Sequence, residues 1–351
     1  MVRSPYQDLP RRAFWRTGVR NQDWMGGTTD LWQPKFEITP EMKVMTAGSC
    51  FAQHIARHLR ARGQNVIDTE PPPRRMRPET AREFGYLLYS ARYGNIYTAR
   101  QLLQVMQEAT GASPPPPIAW ERDGRWFDAM RPSVEPEGLD SPEEVAVHRR
   151  HHLKAVRRAL RQADVFVFTL GLTEAWEDLE TGRIFPTAPG TIAGTHDPAR
   201  CAFRNFTHAE VLADFLAFRK IALRNRPGLK FLLTVSPVPL TATGSGGHVL
   251  PATIYSKSVL RAVAGQLVQE FDDIDYFPSY EIISTPFLGR TFYDETLRAV
   301  APEGVETVMR IFFEGRTESA STEVEAAPAA PLRARSDDVV CEEVLLEAFA
   351  R

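Results

Sequence analysis

The chain of 351 residues balances 42 Lys+Arg against 44 Asp+Glu, a net charge of −2, with 43% hydrophobic and 25% charged residues. That is an ordinary globular composition with no global electrostatic pull toward nucleic acid or anionic membrane, long enough for one large α/β domain or two small ones. The three cysteines, Cys50, Cys201 and Cys341, make neither a disulfide framework nor a zinc pattern. With no apolar leader and no run of membrane-spanning length, the expectation is a cytoplasmic protein without metal or cofactor.

Residues 1–42 carry Trp15, Trp24 and Trp32 among prolines, glycines and charges, without a sustained period. They are expected as an arm packed on the core through those aromatics. The domain proper, 43–315, alternates strand-like and helix-like segments. Val44–Ala47 reads as a strand, the residues after Ser49 as a helix, and Asn65–Asp68 as a short strand. Thr98 caps a helix to about Glu108, and the Asp123-Gly124 step between Trp120 and Phe127 predicts a hairpin. Ser141-Pro142-Glu143-Glu144 opens a long helix to about Gln162 in the capping-box manner.

Asp164–Leu170 and Lys230–Val235 are continuous apolar runs, expected as strands buried on both faces. Helices are predicted from Thr207 to Asn225, Ile254 to Phe271 and Glu303 to Phe313, with a short strand at Ile274–Phe277. Strand alternating with helix predicts an α/β fold whose mainly parallel sheet has helices on both faces. Residues 316–351 have a tail composition. They end in an acidic amphipathic stretch, Val339–Phe349, that docks on its own domain, binds a protein partner, or frays.

The stretch Gly48-Ser49-Cys50-Phe51-Ala52 stands between the first strand and its helix. Glycine permits a sharp turn, and the helix start leaves N–H donors beside the serine, a geometry that exposes a nucleophile and stabilises an oxyanion. The plain alternative is a helix cap. The pentapeptide resembles the signature of the GSCFA family, a bacterial group similar to SGNH/GDSL-type esterases and acyltransferases. Tyr93-Gly94-Asn95-Ile96-Tyr97, Thr169–Trp176, Leu233–Pro239 and Tyr276–Glu281 resemble further blocks of that family in the same order, from about Lys43 to Gly315. The resemblance implies a three-layer α/β/α fold of the SGNH-hydrolase type. It implies Ser49 as nucleophile, Gly94 or Asn95 as second-block oxyanion donor, and Gly171 to Glu174 as the third block. Thr173-Glu174 stands where an asparagine is usual, so Thr173 is either a donor or the cap of a helix starting near Glu174.

In an open parallel sheet ligands gather at the strands' carboxyl ends. Ser49, Gly171–Glu174 and Ser236–Pro239 each follow a predicted strand there, which points to one composite site. The base is harder to place. The region Phe292–Val300 lacks the Asp and His, three residues apart, of the usual SGNH pattern, and a serine without a base is a weak nucleophile. Of eight histidines, His248 lies on the Gly-rich loop after the strand at 230–235 and is expected as the base. Glu174 would orient it, with Asp294 second. His54 and His58 have no third ligand at metal-binding spacing. Cys50, at a helix N-terminus, is a minority nucleophile, with Ser49 then an oxyanion donor. Lys257 opposes the helix dipole if its helix begins nearby, and hints at an anionic ligand or a carboxylate partner.

The reading is a serine-dependent O-acyl ester hydrolase or O-acyltransferase working through acyl-Ser49, on a small-molecule or glycan ester. Two alternatives stand beside it. One is a non-catalytic binding or scaffold protein on a degenerate fold; the other is a thiol enzyme using Cys50.

Overall fold

The computed structural model describes residues 4–24, 27, 29–111, 114–288, 291–317 and 341–350. In chain order its elements are β1 (Val44–Gly48), α1 (Phe51–Ala61), α2 (Pro78–Glu83), α3 (Ala99–Thr110), β2 (Ala119–Arg122), β3 (Arg125–Asp128) and α4 (Pro142–Gln162). There follow β4 (Val165–Leu170), β5 (Glu174–Asp178), β6 (Ile184–Phe185), β7 (Cys201–Asn205), α5 (His208–Asn225), β8 (Lys230–Val235), α6 (Val249–Glu270), β9 (Ile274–Tyr276), α7 (Ser279–Ser284) and α8 (Pro302–Thr317). A short 3-10 helix, Glu342–Phe349, lies near the C-terminus.

The central sheet runs β1-β4-β8-β9, and every neighbouring pair is parallel. Strand β4 shows why it is buried on both faces. Phe166 and Phe168 pack with Phe215, Phe218, Phe231 and Leu260 on one side, while Val165 and Val167 meet Phe51, Phe277 and Phe312 on the other. This two-residue alternation puts α3 to α6 over one face and α1 and α8 over the other, consistent with a three-layer α/β/α arrangement. Trp32 stacks on Phe312 and, like Trp24, is buried; Trp15 is 60% exposed and only edges Phe287.

Three local expectations change. The strand at Asn65–Asp68 shrinks to a single parallel bridge, Val66 to Val44, because Ser90 covers the next position of β1 by bonding both the N–H and the C=O of Thr46. The helix expected near Glu174 is instead β5, the centre of a small antiparallel sheet β6-β5-β7. There Trp176 pairs across to Phe185 and Phe203, an aromatic ladder that outweighs helix propensity. Helix α6 starts at Val249 rather than Ile254, because Pro251 falls in its first turn, where no N–H is needed. The Asp123-Gly124 hairpin forms as predicted, both residues having positive φ. Val339 and Val340 of the expected C-terminal helix lie outside the described residues.

Candidate active site

Gly48 ends β1 at φ +140°, and a Cβ there would lie 2.6 Å from the Thr169 carbonyl oxygen and 2.7 Å from its nitrogen. Only glycine lets the strand pass β4 this closely and turn directly into α1. The Ser49 N–H donates to the Thr169 carbonyl at 3.1 Å, and its own carbonyl accepts from Ala52 N–H at 2.9 Å. The Ala52 and Gln53 N–H groups of α1 bond back to the Ser49 and Cys50 carbonyls, and the positive end of the helix dipole faces this turn. Ser49 is 2% exposed, yet its hydroxyl has no hydrogen-bond partner among the described residues. A buried unpaired hydroxyl costs roughly 1–3 kcal/mol of desolvation.

The loop after β4 closes on this serine. A Cβ on Gly171 would stand 2.9 Å from Ser49 Cβ and 3.0 Å from the Tyr97 carbonyl oxygen. That carbonyl accepts from both Gly171 N–H (3.0 Å) and Leu172 N–H (2.9 Å), tying the third block to the second. The Lys257 ammonium donates to the Gly171 carbonyl at 2.7 Å from α6. Lys257 is 1% exposed; burial lowers its pKa to about 8, against the opposing pull of Glu343 and Cys50. Asn95 is held by Gln53, whose Nε2 donates to Asn95 Oδ1 at 3.0 Å, and by the Tyr89 hydroxyl, which also donates to the Ser49 carbonyl at 2.9 Å. Asn95 Nδ2 is thereby turned toward Tyr97 and the C-terminal segment. Gly94, at φ +68°, sits against the same segment, 3.7 Å from a Glu342 oxygen to its Cβ position.

That segment covers the cleft. Glu342 accepts from Asn95 Nδ2, from the Tyr97 hydroxyl at 2.8 Å and from the Ser133 hydroxyl. Glu343 accepts from Arg298 at 3.1 Å. Cys341 Sγ lies 3.8 Å from the Tyr97 hydroxyl and 4.0 Å from an Arg298 nitrogen, with Cys50 as its neighbour. The Cys50 thiol, with help from Arg298, lowers Cys341 to about 6 although burial opposes it, while Cys341 and burial together raise Cys50 well above an ordinary thiol. The helix dipole therefore does not make Cys50 a thiolate; the thiolate character belongs to Cys341. Leu172, Glu174, Trp176, Phe203 and Leu240, with Glu343 and Leu346 of the C-terminal segment, line a cavity of about 170 Å³.

The structure thus brings Ser49, Cys50, Gly94, Asn95 and Gly171 together, and adds Lys257, Arg298, Tyr89 and Tyr97. Thr173 is buried nearby, but its hydroxyl donates to Asn205 Oδ1 at 2.7 Å and its N–H to Ser256 Oγ at 2.9 Å, so it is neither a ready donor nor a helix cap. His248 is not joined to the cluster. It is the exposed N-cap of α6, and its Nδ1 accepts from the Leu250 N–H at 3.1 Å. Glu174 accepts instead from the Thr243 hydroxyl (2.7 Å) and the Gly244 N–H (3.3 Å), so no His248–Glu174 pair forms. Asp294 folds back on Thr296, and it is Arg298 from the same loop that enters the cleft.

The remaining histidines have other work. His54 faces Arg57, and His152 is buried against the Glu70 carboxylate at 2.7 Å. Among the described residues no cluster of His, Cys, Asp and Glu is arranged to hold a metal ion. Lys257 was visible in the sequence, but as a residue near a helix start; lying further along α6, it projects from the helix to the third block. Arg298 stands inside the block that lacks its histidine, which is the one sequence signal that could have found it.

The GSCFA family model matches residues 43–312, most of the chain, and the chain belongs to that family. Comparisons with curated proteins and with solved structures returned no match. No helix among the described residues is long and apolar enough to cross a membrane.

Proposed function

We propose that this protein handles O-acyl esters, by hydrolysis or by acyl transfer to a hydroxyl, through an ester of Ser49. The observation that carries the reading is the buried Ser49 hydroxyl, unpartnered among the described residues, at the N-terminal end of α1, with Gly171 packed against it. In this reading Ser49 Oγ attacks the ester carbonyl while its proton passes to neutral Lys257, replacing His248 as base. The oxyanion is met by the positive end of α1 and by Asn95 Nδ2. The proton returns from Lys257 to the departing alkoxide, leaving acyl-Ser49; water or an acceptor hydroxyl then attacks it with the same lysine as base. The cavity beside Leu172 and Leu240 suits the acyl group. A lysine held near 8 by burial has a usable neutral fraction, which an exposed lysine lacks. A thiol mechanism is disfavoured by the raised pKa of Cys50.

The test is turnover of short p-nitrophenyl esters by the wild type and by the chain with Glu342→Gln and Glu343→Gln, since the C-terminal segment covers Ser49. Ser49→Ala in either background should remove activity by several orders of magnitude. Retention of more than about a tenth of it would take Ser49 out of this role.

A further inference from the structure

Residues 43–312, the part of the chain that matches the family, carry two cations against the C-terminal segment, Lys257, which is buried, and Arg298, whose side chain is 13% exposed. Arg298 has its ion pair with Glu343, and its Nε is buried without a partner among the described residues. Lys257 spends one hydrogen bond on the Gly171 carbonyl, and the charge it feels most is again Glu343. Both counter-charges therefore come from beyond the family match. Burying two like charges without an anion is strongly unfavourable, so a domain built this way needs an anion in the cleft.

Here the acids are Glu342 and Glu343, 2% and 7% exposed; burial raises Glu343 to about 8, against the opposing pull of Arg298 and Lys257. Glu342 is read by neutral donors, the Asn95 amide and the Tyr97 and Ser133 hydroxyls, and Glu343 by Arg298 with Lys257 behind it. Asn95 is itself aimed by Gln53 and Tyr89, so this cradle is supported from behind rather than improvised by surface side chains. Beside it lies the mainly apolar cavity that Leu346 of the segment also lines.

We propose that the Ser49 cleft is a carboxylate-binding site, and that residues 341–349 fill it as a tethered occupant which a carboxylate-bearing ligand displaces. Resting on the acyl-ester reading above, the substrate is then an ester with a carboxylate, its acid group on Arg298 and its acyl chain in the cavity. The ligand thus acts as substrate and as release signal together.

The experiment uses the full chain and reads Cys50 alkylation by iodoacetamide through peptide mass mapping, which needs no turnover. Glu342→Gln with Glu343→Gln should speed alkylation of Cys50 at least about tenfold, as expected for losing two charge-assisted contacts. In that variant glutarate should protect Cys50, glutaramide should not, inorganic phosphate should protect less than glutarate, and Arg298→Gln should abolish the protection. An unchanged alkylation rate would overturn the tethered occupant. Equal protection by glutarate and glutaramide, or stronger protection by phosphate, would overturn the carboxylate site. If the double variant loses cooperative unfolding, Ser133→Ala serves instead, and it should speed alkylation by severalfold. Glutarate protection without any ester turnover would leave this proposal standing and sink the acyl-ester reading; turnover without protection would do the reverse.

Discussion

Gly171→Ala should damage the site through one methyl group. The added Cβ would lie 2.9 Å from Ser49 Cβ, 3.0 Å from the Tyr97 carbonyl oxygen and 3.2 Å from Tyr97 Cα. Carbon atoms sit comfortably at about 3.5–4.0 Å, so each neighbour must retreat by roughly half an ångström or more. Neither can do so cheaply. The Tyr97 carbonyl accepts from both Gly171 and Leu172, and Ser49 is fixed by its bond to Thr169. The backbone at Gly171 is not left-handed, so the penalty is steric overpacking, about 1–3 kcal/mol.

The urea midpoint should fall accordingly with an unchanged slope. Labelling of Ser49 by a fluorophosphonate should slow by at least about tenfold, because an ångström-scale displacement of a nucleophile has that scale of consequence. Gly63→Ala is the control. Its φ is +75° with nothing within 4 Å of the new Cβ, so it loses stability through backbone strain alone and should label normally. Wild-type labelling and an unchanged midpoint in Gly171→Ala would refute the packing of Gly171 on Ser49.

Lys257→Met should lower kcat/KM by about 10²–10⁴-fold and abolish the rise in activity as pH climbs through 8, whereas His248→Ala, altering an exposed cap, should stay near wild type. Burial holds His54 near 3 and His58 and His152 near 4, below their unfolded value of about 6.5. Between those values the unfolded chain binds more protons. Stability should therefore fall as pH drops from about 6.5 toward 4, by up to ~1.4 kcal/mol per pH unit for each fully buried histidine, and a Tm constant over that window would contradict this. Cys341 alkylation should titrate near pH 6 and move upward in Arg298→Gln; a midpoint near that of a free thiol would deny the Cys50–Cys341–Arg298 contact.

How far these features could be read from the chain follows from the range of the forces involved. Strands such as Val165–Leu170, and caps such as Thr98 and Thr207, are set by neighbours within a few residues, and they stand where the sequence places them. The strand–turn–helix around Ser49 is local in the same sense. Glu174 shows the limit, because its own partner in the small sheet is Asn205, some thirty positions away. The expected base fails for a related reason. Elimination among histidines favoured His248 on loop position alone, but its ring is taken by the helix it begins. Lys257 is placed on the Gly171 carbonyl by helix α6 docking on the third block. The clasp of Glu342 on Asn95 and Tyr97 spans 247 and 245 residues, a separation that no periodicity or spacing encodes. What the sequence did carry was the hint that Lys257 wants a carboxylate, and Glu343 answers it.

The most direct measurement is mass mapping of the adduct formed when the chain bearing Glu342→Gln and Glu343→Gln is treated with a fluorophosphonate, with and without Lys257→Met. The account predicts one phosphonyl group on the peptide containing Ser49, located on the serine rather than on Cys50, and formed far more slowly without the lysine. An adduct on Cys50, or no adduct in a protein that remains folded, would contradict the claim that Ser49 is the nucleophile of this site.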